Sequence, residues 1–151
     1  MTEDQLEQET LGWLQKVGYQ QLCGYDIAPE SPNQERADYL QPVLIERLRS
    51  ALARLNPQAP LVAREDALKQ VLDLGIPSQL AANRRFHNLL VQGVKVDYQK
   101  EGETRGDYLK LVDWTSSTGQ NEFLAINQYT LKGPKHTRRP DIILFINGLP
   151  L

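Results

Sequence analysis

Arg138-Arg139-Pro140-Asp141-Ile142-Ile143-Leu144-Phe145-Ile146-Asn147-Gly148 stands three residues from the end of the chain, and its reading decides the fold. The run at 142–146 is apolar at every position rather than at alternate ones, which predicts a central strand covered on both faces. Pro140 has no amide to donate and a fixed φ, so it suits the start of a strand. Asp141 is then set at the rim of the sheet, where solvent, substrate or a metal ion reaches it. Asn147-Gly148 is the strongest short signal for a two-residue hairpin turn. Only Leu149, Pro150 and Leu151 follow, so the second strand of that hairpin is expected beyond the chain. The chain therefore reads as a fragment.

Working back from that strand, residues 122–131, 107–114 and 94–99 alternate apolar and polar side chains, as half-buried strands do. Gly102 and Gly106 mark a turn region, and a polar loop is expected from Thr115 to Gln120. Before Gly93 the period becomes helical. Ser78 opens a helix that should turn Leu80, Phe86, Leu89 and Leu90 inward, and a shorter helix covers 64–73, closed by Gly75. Another runs from about Leu40 to Leu55, with Pro42 in its first turn and Leu44, Ile45, Leu48, Leu52 and Leu55 as its apolar stripe. The segment from Gln21 to Arg36, with Gly24, Pro29 and Pro32, reads as irregular. At the start, Thr2 and Gln5 make a capping-box pair for a helix at 3–17 whose repeat is Leu6, Trp13, Leu14 and Val17. Helices followed by an antiparallel-dominated sheet make an α+β fold.

A chain of 151 residues with 40% hydrophobic and 24% charged side chains and a net charge of −2 is one ordinary domain's worth of sequence. No apolar run approaches the roughly 18–20 residues of a membrane span. The single Cys23 has no thiol partner, which fits a reducing cytoplasm. There is no phosphate-binding glycine loop and no nucleophile elbow, and His87 and His136 lack the spacing of a zinc site.

Three features carry chemistry. Asp141 is a candidate ligand for a hard cation, which takes one or two carboxylates plus waters and phosphate oxygens; it reads equally as a strand cap or as the partner of Arg138 or Arg139. Glu7 falls between Leu11 and Leu14 on the helical projection, inside the apolar arc. A carboxylate there needs a partner: a metal, a basic residue or amides. Lys132, Lys135, Arg138 and Arg139 crowd the loop before Asp141, where they would attract a phosphate backbone or simply face solvent.

Taken together, these residues resemble the N-terminal domain of type I restriction enzyme R subunits. The resemblance is carried by Thr2-Glu3-Asp4-Gln5-Leu6-Glu7 with Trp13-Leu14 and Gly18-Tyr19, by Asp26-Ile27-Ala28-Pro29 and by Glu35-Arg36-Ala37-Asp38-Tyr39. Asn83-Arg84-Arg85-Phe86-His87-Asn88-Leu89-Leu90, Asn121 to Gln128 and Arg138 to Leu151 extend it over essentially the whole chain. It implies an incomplete PD-(D/E)xK endonuclease core, with a helical insertion at about 38–92 and a sheet region at about 94–151, ending before a Glu-x-Lys strand. It further implies that Asp141, joined by Glu7, holds Mg2+, and that the intact cytoplasmic protein cleaves double-stranded DNA. By the same resemblance, ATP is bound only by a motor region absent here, and the partners are specificity and methyltransferase subunits. With half of the site missing, these residues alone are expected not to cut DNA. The alternatives are a non-catalytic DNA-binding or subunit-interaction remnant and, more remotely, a nuclease completed across a dimer.

Overall fold

Residues 1–115 and 119–151 are described by a computed structural model; of the loop expected at 115–120, residues 116–118 lie outside them. Along the chain run α1 (Glu3–Lys16), β1 (Gln20–Cys23), α2 (Ile45–Leu55), α3 (Leu61–Leu72), α4 (Gln79–Gln92), β2 (Val94–Lys100) and β3 (Glu103–Leu109). They are followed by β4 (Phe123–Asn127), β5 (Leu131–Lys132), β6 (Thr137–Arg138), β7 (Ile142–Ile146) and β8 (Leu149–Pro150). The α+β class holds. Contacts divide these elements into two compact units, residues 1–46 with 122–151, and residues 47–121.

In the first unit the capping box forms: Gln5 N donates to Thr2 Oγ1 at 3.3 Å and Thr2 N to Gln5 Oε1 at 2.9 Å. Two of the amides that a helix start leaves orphaned are thereby satisfied. The expected stripe of α1 is largely solvent-facing, with Leu6, Trp13 and Val17 exposed and Leu11 buried. The sheet runs β1-β4-β7-β8. β1 is parallel to β4, whereas β4–β7 and β7–β8 are antiparallel, so the sheet is mixed. β1 corrects the expectation of an irregular stretch from Gln21: two exposed glutamines at a sheet edge give no alternation to read, and the strand's pairing partner lies a hundred residues away.

The terminal hairpin also corrects an expectation, because its second strand begins within the chain. Asn147 and Gly148 take φ of 51° and 82°, the left-handed pair of a type I′ turn, and Ile146 faces Leu149 across it. Asn147 is buried, donating its N–H to Glu122 O and accepting from Glu122 N, both at 2.8 Å. Burial of β7 is complete only toward this turn, at Phe145 and Ile146; residues 142–144 are half-buried. Leu44, Ile27, Leu124, Ile126, Tyr129 and Phe145 form the core.

The second unit follows its sequence pattern more closely. α2 begins at Ile45, later than expected, which leaves Pro42 outside it; Leu48, Ala51, Leu52 and Leu55 form its buried stripe. α3 packs on β2. Val94, Val96 and Tyr98 are buried and alternate with exposed neighbours, and Glu101-Gly102 makes a second left-handed turn, φ 53° and 83°. β2 and β3 form a sheet of their own, not part of one sheet over 94–151, and β3 stops at Leu109, short of the expected 114. α4 buries none of its residues: Leu80 is 73% exposed, and Phe86, Leu89 and Leu90 are half-buried. A helical period names the apolar face; it does not supply something to cover it.

Candidate metal and phosphate site

Three strands stop on one line at one end of the main sheet. Cys23 of β1 is level with Asn127 of β4, and Asn127 with Ile142 of β7. Asp141 precedes Ile142, so it enters at this end. Its side chain is exposed and makes no hydrogen bond or ion pair among the described residues. The alternative partners Arg138 and Arg139 do not take it.

Glu7, on α1, reaches the same end. It is half-buried, as its place between Leu11 and Leu14 required, and its partners are side-chain amides. Asn127 Nδ2 donates to Glu7 Oε1 at 2.8 Å, and Gln128 Nε2 lies 3.2 Å from Oε2 and 3.5 Å from Oε1. Neutral donors satisfy a carboxylate without cancelling its charge, so the group still offers a negative oxygen to a cation.

The basic residues fall into two places. Arg139 Nη1 donates to Tyr25 Oη at 2.8 Å, and Tyr25 Oη donates to Gln128 Oε1 at 3.4 Å; Arg139 therefore belongs to the Glu7 end of the sheet. Lys132 and Arg138 lie on the β5–β6 hairpin, with Lys135 in the loop that joins its strands. Lys132 Nζ stands 4.6 Å from the centre of the Tyr39 ring. With Lys135 and Arg138, Lys132 borders a cleft of about 500 Å³ that includes Leu40, Pro42 and Leu131. Apolar ground beneath exposed cations suits a phosphate ester better than a bare ion.

The sequence reading missed the residue that holds this cleft's wall. Arg36 is 2% exposed. It donates to Thr130 O at 2.7 Å and to Gln41 O at 2.9 and 3.2 Å, with a longer contact to Tyr39 O. Its guanidinium lies 4.0 Å from the Tyr129 ring centre. Burial pulls the Arg36 pKa down, against the neighbouring tyrosines, which raise it. Burial likewise pushes the Tyr129 hydroxyl up to about 12; that hydroxyl donates to Pro42 O at 2.9 Å. Tyr25, Tyr39, Asn127 and Gln128 were missed as well. The one local clue was a pair of amides ending an apolar strand.

The sequence profile of the family described as type I restriction enzyme R protein N terminus matches residues 1–151. The chain belongs to that family. It is 37% identical over 152 residues to the type I restriction enzyme HindI endonuclease subunit of Haemophilus influenzae, covering 100% of this chain and 14% of the relative. It is 29% identical over 149 residues to a protein of Methanocaldococcus jannaschii carrying the name of the type I restriction enzyme MjaIXP endonuclease subunit, covering 97% of this chain and again 14% of the relative. The chain thus spans about one seventh of the length of the curated relatives it matches. No solved structure matches it significantly. No helix of the described residues is long and apolar enough to cross a membrane.

The resemblance to such R subunits implies a magnesium ion, and oxygen donors of the kind that such an ion takes enter at this end of the sheet. Glu7 and Asp141 offer hard oxygen atoms only. Among the described residues no three histidines, cysteines or acids stand together as a metal cluster. Two carboxylates, with waters and phosphate oxygens completing the shell, are what magnesium ordinarily accepts.

Proposed function

We propose that this chain is the front part of an endonuclease domain of the PD-(D/E)xK kind, within a cytoplasmic type I restriction R subunit. The intact protein would hydrolyse phosphodiesters in double-stranded DNA after ATP-driven translocation by regions outside these residues. Specificity and methyltransferase subunits would be its partners. One observation carries the reading: a half-buried carboxylate, Glu7, is held by amides at the end of the sheet where the unpartnered Asp141 immediately precedes β7.

In this reading Asp141 and Glu7 hold Mg2+, which when bound polarises the scissile phosphate and lowers the pKa of its water. Arg139 lies nearest that work. Lys132, Lys135 and Arg138 track the DNA backbone across the cleft, an attraction that weakens steeply with salt. The family's Glu-x-Lys would follow the turn at Asn147-Gly148, and no such triplet stands among residues 149–151. These residues alone are therefore expected to bind magnesium loosely and not to cut DNA. Calorimetric titration of Mg2+ into this chain and into one extended past the hairpin tests this. Markedly tighter binding by the longer chain is expected; equal affinity would contradict the site assignment.

A second reading, a non-catalytic subunit-interaction module, is favoured by α4, which leaves Leu80 and Val91 exposed and buries nothing. Asp141→Ala in the intact subunit separates the two: loss of cleavage supports the nuclease, retained cleavage the module.

A further inference from the structure

We infer that Gln128, seconded by Asn127, is a positioning residue that aims the Glu7 carboxylate at the cation site; this rests on the metal reading above. Gln128 takes φ 54°, the left-handed region that a long side chain rarely adopts. That conformation turns the chain out of β4 so that the side chains of both 127 and 128 reach Glu7. Strict strand alternation would have sent them to opposite faces.

The conformation is held from the other side by Gly24. A Cβ added there would overlap the Gln128 carbonyl oxygen and stand 2.7 Å from its carbon and 2.8 Å from Tyr129 Cα. Gly24 N donates to Asn127 O at 2.8 Å. Only a residue without a side chain lets β1 leave the sheet so close to this turn.

The amide has a partner on each side, the one at Tyr25 a longer contact of 3.4 Å. Tyr25 Oη donates to Gln128 Oε1, which leaves Nε2 to face Glu7. Arg139 donates in turn to Tyr25. Every donor in the sequence Arg139, Tyr25, Gln128, Glu7 therefore points the same way, from a candidate phosphate cation toward a candidate metal ligand. Outer partners of this kind govern metal affinity by roughly 10–100-fold.

The test uses Mn2+ as the probe, read by paramagnetic broadening of the side-chain amide signals of Asn127 and Gln128 and by the dissociation constant from the same titration. In the wild type both amides should broaden. Gln128→Gly removes the amide while suiting the left-handed backbone, so the melting temperature should not fall, yet Mn2+ affinity should drop about tenfold. Gln128→Asn, which keeps a donor and also tolerates that φ, should recover part of the loss. The double variant Glu7→Gln/Gln128→Gly should bind no more weakly than Glu7→Gln alone. Wild-type affinity in Gln128→Gly, with loss in Glu7→Gln and Asp141→Asn, would overturn this inference and leave the metal reading standing. No loss in Asp141→Asn or Glu7→Gln would overturn the metal reading itself, and this inference with it.

Discussion

Arg49 in the second unit and Arg36 in the first make an instructive pair. Arg49 Nε meets Glu65 Oε1 at 2.7 Å with both side chains about one-third exposed, at 39% and 33%. Arg36 is sealed beneath Tyr129 and serves three backbone carbonyls. The first is a surface ion pair on a unit built by local periodicity. The second replaces regular secondary structure: it satisfies the carbonyls of a segment, 36–42, that has neither helix nor ladder to do so. Asn56 does similar work for Leu52 and Lys110 in the second unit, but among the described residues only the unit that bears the candidate chemistry uses a buried cation for it.

That contrast sets the size of the expected effects. Arg36→Ala strands the carbonyls of Thr130 and Gln41, each costing roughly 1–3 kcal/mol unsatisfied, while Tyr39 O keeps the Lys132 amide. A loss of at least about 2 kcal/mol in denaturant-unfolding free energy is expected, and an effect near zero would break the comparison. Tyr129→Phe comes next, removing one hydrogen bond worth about 1 kcal/mol, and it should also change the alkaline limb. Burial holds the native Tyr129 pKa at about 12, above the ordinary 10.0. Its share of stability is therefore complete below pH 10 and lost as pH rises toward 12; the phenylalanine variant should show a flatter profile there. Arg49→Ala is the smallest, under about 1 kcal/mol for a partly exposed pair. The hydrogen bond from Arg49 holds the Glu65 carboxyl below its usual range, so even that small share should fade as pH drops through the acid region.

The same contrast explains what could be read from residues alone. The helix cap at Thr2 and Gln5, the alternation of 94–99 and the turn at Asn147-Gly148 are local signals, and each appears in the fold. Glu7's half-buried place also followed from helical spacing. β1 could not be read, because a short edge strand with exposed glutamines is defined only by its parallel partner β4. Arg36 could not be read either, since an arginine's sequence neighbours do not tell a buried clamp from a solvated charge. The amides of Asn127 and Gln128 became meaningful only when pairing brought residues more than a hundred positions apart to one sheet end.

The central claim is that Glu7 and Asp141 share one divalent cation at that end. The most direct measurement is an anomalous difference map from crystals of this protein soaked in Mn2+. The expected result is one strong peak bonded to carboxylate oxygens of both residues. Peaks confined to other acids, with the ends of β4 and β7 empty at saturating Mn2+, would contradict it.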